Sequence, residues 1–308
     1  MTFATWWGAV LAVVLAVLVG TYATAVADRC VAALVSRDEM SLKVLSEPVR
    51  SIALGVVQSR TTTERPDGPA WALAPALYLG LAATALAVVP LSSTLVAVDV
   101  QGGLVLFGAL QALAVIPVFL NGWSPNSMMP LIGAFRFIAQ ALSYEMPNLL
   151  ALLSVSVPAS SLALGDIVAS QQNVWNVVRI PLGLPLFLFA AAGLAFWGPL
   201  NLPDGADLAG GTQAETSGLH LLAWRAGRAT VLVATAAMGA AAFLGGWLGP
   251  WLPGPVWMVL KTLVLLVLLV ASRHVAARVR IERFVVISWA VLIPLALLNV
   301  VIAAAVSL

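Results

Sequence analysis

Eight stretches of this chain are each long and apolar enough to cross a hydrocarbon core, which takes about 20 helical residues for a thickness of about 30 Å. They lie at about 5–27, 71–93, 102–121, 130–157, 178–200, 218–248, 256–274 and 284–306. The runs are continuous Leu, Val and Ala with no alternation, which reads as helix and not as barrel strand. The chain is 61% hydrophobic and 9% charged, against about 25% charged in ordinary soluble domains, and its mean hydropathy is +1.02. A water-soluble core cannot absorb that much apolar surface. The expected fold is an all-α integral membrane protein, residues 1–308 forming one membrane domain of eight transmembrane helices. The first stretch reads as a helix and not a signal peptide. No basic residue precedes it, no small-residue cleavage site closes it, and further spans follow.

Eight crossings put both termini on one side, and the loops decide which. The segment from Asp28 to Ala70 holds Arg29, Arg37, Lys43, Arg50, Arg60 and Arg65. The loop before the last span holds Arg273, Arg278, Arg280 and Arg283, and Arg136, Arg225 and Arg228 lie near the same face. Of the 15 basic residues only Arg179 and Lys261 fall outside this set. The loops near 94–101, 158–177 and 249–255 carry no Lys or Arg. By the positive-inside rule the basic face is cytoplasmic and both termini lie outside. Residues 39–59 are too polar to span, yet Leu42, Leu45, Val49, Ile52 and Val56 form a helical stripe broken at Pro48. That pattern predicts an amphipathic helix at the cytoplasmic interface. It serves either as a linker packed on the bundle or as a wall for an amphipathic ligand or docking partner.

Several functions are excluded by what the chain lacks. A net charge of +2 does not suggest nucleic-acid binding, although the pI is near 9.0. One cysteine, Cys30, rules out a disulfide framework, and His220 and His274 stand far apart, so no metal-ligand spacing appears. No phosphate loop, dinucleotide fingerprint or internal repeat is present.

The chemistry is carried by a few ionisable residues. Glu145 lies inside the fourth stretch, where a charge costs roughly 2.5–3.5 kcal/mol on insertion scales. Residues 198–218, between the fifth and sixth stretches, carry Asp204, Asp207 and Glu215 and no base. If the fourth to sixth helices are neighbours, Glu145 approaches the same face. Carboxylates crowded in a partly dry space repel one another, which raises their pKa values toward neutrality and lets the cluster hold and pass protons. The alternative is a solvated acidic loop with Glu145 held by Arg136 as a structural ion pair.

Gly133-Ala134-Phe135-Arg136, running through Ala139-Gln140 into Ser143-Tyr144-Glu145, resembles the long helix of the H-subunit family of respiratory complex I, the NADH-quinone oxidoreductase. Pro199-Leu200-Asn201-Leu202-Pro203-Asp204 resembles that family's Pro-Phe-Asp-Leu-Pro-Glu. Glu215-Thr216-Ser217-Gly218, Gly122-Trp123-Ser124-Pro125-Asn126-Ser127, Lys261-Thr262 and Pro294-Leu295-Ala296-Leu297-Leu298-Asn299 are similar to further family stretches in the same order. The resemblance covers about 120–305 and implies an eight-helix subunit at the joint between the quinone-reducing arm and the antiporter-like subunits of a multi-subunit complex. It implies that Glu145, Asp204, Asp207 and Glu215 belong to a proton path. Glu47, Arg50, Arg136, Gln140, Tyr144, Arg225 and Arg228 would belong to the quinone chamber and its coupling. Quinone would be the substrate. Iron–sulfur clusters would sit in partner subunits, because this chain has no ligands for them. The location implied is a bacterial plasma membrane.

Departures from the family matter too. Its Glu-Thr-Asn-Arg is replaced by Phe196-Trp197-Gly198, Ser36-Arg37-Asp38-Glu39 stands where it has a basic Arg-x-Gly-Pro-Asn, and a glutamate is lost near Arg225–Arg228. Arg225 or Arg228 could instead pair with Asp204 or Asp207, which would lower those pKa values. Three readings follow: a subunit of an NADH-quinone oxidoreductase-like complex, the equivalent subunit of a membrane-bound hydrogenase or formate hydrogenlyase-like complex, or a stand-alone transporter or lipid-handling protein.

Overall fold

The computed structural model describes residues 3–37 and 43–307, and among these the chain is helical, with no strand. Helix α1 (Phe3–Ser36) runs for 34 residues, well past the predicted end at 27. Helix α2 (Lys43–Val57) falls within the predicted 39–59, and residues 39–42, Leu42 among them, lie outside the described residues. Helix α3 (Gly68–Val88) starts where Asp67 accepts from the Ala70 N–H and Pro69 occupies the first turn. The third predicted span is one path in two pieces, α4 (Gly103–Ala112) and α5 (Val115–Trp123). Pro117 has no N–H for the Leu113 carbonyl, and the ladder breaks there.

Helix α6 (Met128–Ala159) has 32 residues, about 48 Å at about 1.5 Å per residue. Two short helices, α7 (Leu164–Ala169) and α8 (Asn176–Arg179), follow. Within the predicted span at 178–200 the regular helix is α9 (Gly183–Leu194), 12 residues long. Pro181 precedes its start, Pro185 is accommodated in its first turn, where the N–H has no intrahelical partner, and Gly198-Pro199 turns the chain away after its end. Three short 3₁₀ turns at Gly198–Leu200, Ala206–Leu208 and Gly211–Gln213 lead into α10 (Gly218–Phe243). Helix α11 (Gly254–Val275) precedes α12 (Ile281–Ile287), a π turn over Ser288–Leu292, and α13 (Ile293–Ser307).

Six helical segments among the described residues are long and apolar enough to cross a membrane: Trp6–Ser36, Gly68–Val88, Gly103–Trp123, Gly218–Phe243, Gly254–Val275 and Ile281–Ser307. The long α6 is not among them because Arg136, Gln140, Ser143, Glu145, Asn148 and Ser154 dilute its apolar run. Helix α10 is the most buried of the six and α1 the least. Helices α3 and α11 pack on α10, while α6 holds α5, α9 and α13 around itself. Tyr78, Phe137, Phe196 and Trp224 are fully enclosed where α3, α6, α9 and α10 meet.

The C-terminal end of α10 is closed by side chains. Gln171 Nε2 donates to the Ala241 carbonyl at 2.9 Å, and Asn176 Nδ2 to the Ala242 carbonyl at 2.8 Å. Lys261 Nζ donates to the Leu244, Gly246 and Leu248 carbonyls at 2.6, 2.9 and 2.7 Å. The Trp175 ring lies 4.3 Å from the same ammonium. The carbonyls that a helix end leaves over are thus met by donors and by a positive charge at the negative pole. In an apolar surround they have no water to fall back on.

Candidate functional site

The opposite end of α10 meets the N-terminal half of α6 through residues 198–217, and the polar residues gather there. The local backbone is tight. An added Cβ on Gly211, at φ +55°, would sit 1.7 Å from the Pro203 carbonyl oxygen, and one on Gly133 would sit 2.6 Å from the same atom. Only glycine allows α6 and the two sides of this loop to close so nearly. Phe196 is held left-handed at φ 42°, a conformation costly for an aromatic residue and typical of sites where backbone geometry is imposed.

Asp204 and Arg228 form the centre. Arg228 Nη1 donates to Asp204 Oδ2 at 2.8 Å, and both residues are buried. The same guanidinium donates to the carbonyls of Ala195 and Phe196 and lies 4.9 Å from the Phe196 ring centroid. Asp204 also accepts from Thr212 Oγ1 and Gln213 Nε2. Gln213 Oε1 in turn accepts from Arg225 Nε at 3.4 Å. Asp204 therefore has three donors and Arg228 three acceptors, the kind of satisfied arrangement that a buried pair requires.

Asp207 is exposed and bridges two cations. Arg136 Nη1 donates to Oδ2 at 2.5 Å and Arg278 Nη1 to Oδ1 at 3.2 Å. The hydrogen bond from Arg136, reinforced by the positive charges of Arg136 and Arg278, holds the Asp207 carboxyl below the usual carboxylate range. The expectation of carboxylates driving one another's pKa upward is corrected at this residue: arginines stand between them. A group whose folded pKa is depressed contributes stability above its unfolded pKa and loses it as the pH falls through the folded value. Asp207→Asn should destabilise the purified protein by less than about 1 kcal/mol at pH 7, as for other exposed pairs. The gap from wild type should close as the pH drops below about 4. Thermal melts across pH check this, and an unchanged gap at pH 3 rules it out.

The remaining predicted residues divide into two groups. Glu215 joins the site, its Oε1 accepting from Ser127 Oγ at 2.9 Å. Gln140 donates from Nε2 to the Gly193 and Leu200 carbonyls at 2.6 and 3.0 Å and so stitches α6 to both ends of the turn after α9. Tyr144 is buried against Gly193, where any Cβ would lie 2.9 Å from its ring. Glu145, by contrast, stands apart from the loop. It is half-buried, and among the described residues its carboxyl has no hydrogen-bond or ion-pair partner. The pairing of Glu145 with Arg136 is corrected, since Arg136 is taken by Asp207. Glu47 and Arg50 lie on α2, also without such partners among the described residues.

Sequence reading missed several members of the site. His220 Nε2 lies 2.9 Å from Asn121 Oδ1, and Asn121 Nδ2 donates to the Thr212 carbonyl at 2.8 Å. The Thr61 N–H and hydroxyl both reach Ser217 Oγ at 2.8 Å, tying the segment after α2 to the start of α10. The available signal was a buried amide at Asn121 in an otherwise apolar run, because such a group needs a partner.

A helical bundle with six segments long and apolar enough to cross a membrane among the described residues, closed at one end by a buried arginine–aspartate pair, defines the class of polytopic membrane protein. Within that class the chain belongs to the H-subunit family of NADH-quinone oxidoreductase: the family model described as NADH dehydrogenase matches residues 8–304. It is 33% identical over 268 residues to the NADH-quinone oxidoreductase H subunit of Geobacillus kaustophilus, covering 85% of this chain and 80% of the relative. To an H subunit of the same enzyme from Rhodopseudomonas palustris it is 35% identical over 237 residues, covering 77% and 74%. To one from Geobacter metallireducens it is 35% identical over 240 residues, covering 75% and 73%.

Proposed function

We propose that this chain serves as the membrane subunit of an NADH-quinone oxidoreductase-like complex that lines the quinone chamber and links quinone reduction to proton movement through Glu145. The observation that carries the reading is the contrast among carboxylates. Asp204, Asp207 and Glu215 each have donors from this chain, whereas Glu145 has none among the described residues. A carboxyl that must take up and release a proton cannot be locked in permanent pairs, and an ionisable residue at membrane depth is retained where charge or protons pass. The loop carboxylates act as anchors that hold residues 198–217 against α6 and α10. Glu47 and Arg50 on α2 form the outer wall toward the quinone-reducing arm. Quinone is the substrate, and the electron carriers reside in partner subunits.

Eight crossings fit this reading. Residue 171 bonds one end of α10 and residue 213 lies at the other, so the chain between must traverse the bundle. Helix α9 supplies only part of that path. Its flanks at Ile180, Phe196 and Leu200 are fully buried, the condition under which irregular backbone is tolerated at membrane depth. The basic end then faces the cytoplasm of a bacterial cell, with both termini outside.

Glu145→Gln in the assembled complex should leave subunit content intact and slow both quinone-linked turnover and proton uptake by at least about tenfold, as expected for loss of an acid–base group. Unchanged turnover and uptake would sink the reading. So would purification of the native assembly with a nickel-site hydrogenase component in place of a quinone-reducing arm.

A further inference from the structure

We propose that Ser288 is a positioning residue for Glu145: its hydroxyl takes the backbone carbonyl that Pro147 leaves free and thereby sets the bend of α6 at the turn bearing that glutamate. In an α-helix the carbonyl of Ser143 accepts from the N–H of residue 147. Residue 147 is proline and has no N–H, and its ring pushes the preceding turn open. Inside an apolar layer a carbonyl so released must find another donor, and a hydroxyl from a neighbouring helix is the usual one. Ser288 Oγ donates to Ser143 O, and Ser288 is fully buried.

The donor's own setting is equally specific. Ser288 opens the π turn Ser288–Leu292, and π turns occur disproportionately at functional sites. Removing the extra residue of that turn would rotate everything before α13 by about 100°, one residue's worth of helix, and would carry the hydroxyl off the carbonyl. A second bridge pins the same two helices. Asn299 Nδ2 donates to Ser154 Oγ at 2.8 Å, both residues being fully buried. The bridges are eleven residues apart on each helix, so the two run side by side in one direction with Glu145 and Pro147 between the pins. Since Glu145 has no hydrogen-bond or ion-pair partner among the described residues, no side-chain bond fixes its carboxyl and the path of the local backbone sets where it starts from.

The functional weight of this inference rests on Glu145 carrying protons, but the clamp is testable without that. The sole native thiol is removed by Cys30→Ser, Glu145→Cys is introduced, and the rate of N-ethylmaleimide labelling is measured in membranes. Ser288→Ala should change that rate by about threefold or more, whereas Ser288→Thr should keep it within about twofold. With Glu145 intact, Ser288→Ala should also displace the pH profile of quinone-linked turnover in the assembled complex, and Ser288→Thr should restore it. Pro147→Ala returns the missing N–H to the Ser143 carbonyl, so in that background Ser288→Ala should add nothing to either readout. Equal effects of Ser288→Ala with and without Pro147, or no effect in either, overturn the proposal. Should Ser288→Ala fail to assemble, the Pro147→Ala/Ser288→Ala double variant decides: assembly supports the clamp, and failure overturns it. A labelling change together with a silent Glu145→Gln would keep the clamp and reject the proton-carrying reading.

Discussion

Arg228→Met lowers stability by about 3–5 kcal/mol, the cost of stranding one member of a buried ion pair. The substitution leaves Asp204 facing an apolar side chain and also frees the Ala195 and Phe196 carbonyls. Phe196 sits at the left-handed bend between α9 and the loop, so the damage falls on the segment that positions residues 198–217. Arg228→Lys does not rescue fully, because an ammonium cannot reproduce the planar fork that reaches three acceptors at once. Arg228→Met combined with Asp204→Leu should recover much of the loss, since replacing both partners removes the stranded charge. Unfolding of the purified protein in mixed detergent micelles measures the three variants. A double variant no better than Arg228→Met would refute the view that Asp204 and Arg228 are energetically one unit.

The second large effect belongs to the far end of the same helix. Lys261→Met leaves the buried Gly246 carbonyl without its donor, at a cost of about 1–3 kcal/mol, and strips the partly buried Leu244 and Leu248 carbonyls as well, each at a smaller cost. The loss should be nearly as great as that at Arg228, yet it should leave the loop at 198–217 unaltered because the whole length of α10 separates the two ends. Two observations on the folded fraction test this: a lowered unfolding midpoint, and an unchanged rate of proteolysis at the loop. If Lys261→Met melts like wild type, the ammonium is not the cap of α10.

The membrane class was legible because it depends on composition summed over long windows, and the bilayer imposes one length on every span. Where single residues decide, the reading slipped. The window over 178–200 is as apolar as its neighbours, but Pro181 before it and Gly198-Pro199 after it act locally on the hydrogen-bond ladder, and only 12 residues remain regular. The window over 130–157 formed a helix at Met128–Ala159, within the usual uncertainty of helix ends, and its interior polar groups find partners on α9, α13 and the π turn before it. In the candidate site Arg228 with Asp204 was foreseeable as opposite charges on adjoining segments. Asp207 with Arg136 and Arg278 was not, since the three lie 71 residues apart in each direction. The separation of Glu145 from Arg136 was legible, because nine residues on one helix put them on opposite faces about 13.5 Å apart along the axis, whereas the distance of Glu145 from the loop carboxyls was not.

Residue order alone established that this chain needs an apolar solvent, which end of the bundle is basic, and which ionisable groups would be costly to bury. These follow from one-dimensional sums of transfer free energy. Which of the candidate-site carboxyls are tied down, and that Glu145 is not tied to them, was decided only in three dimensions. Pairing depends on side-chain directions at a few ångströms, and those are set by glycine contacts, proline breaks and one π turn acting together across helices.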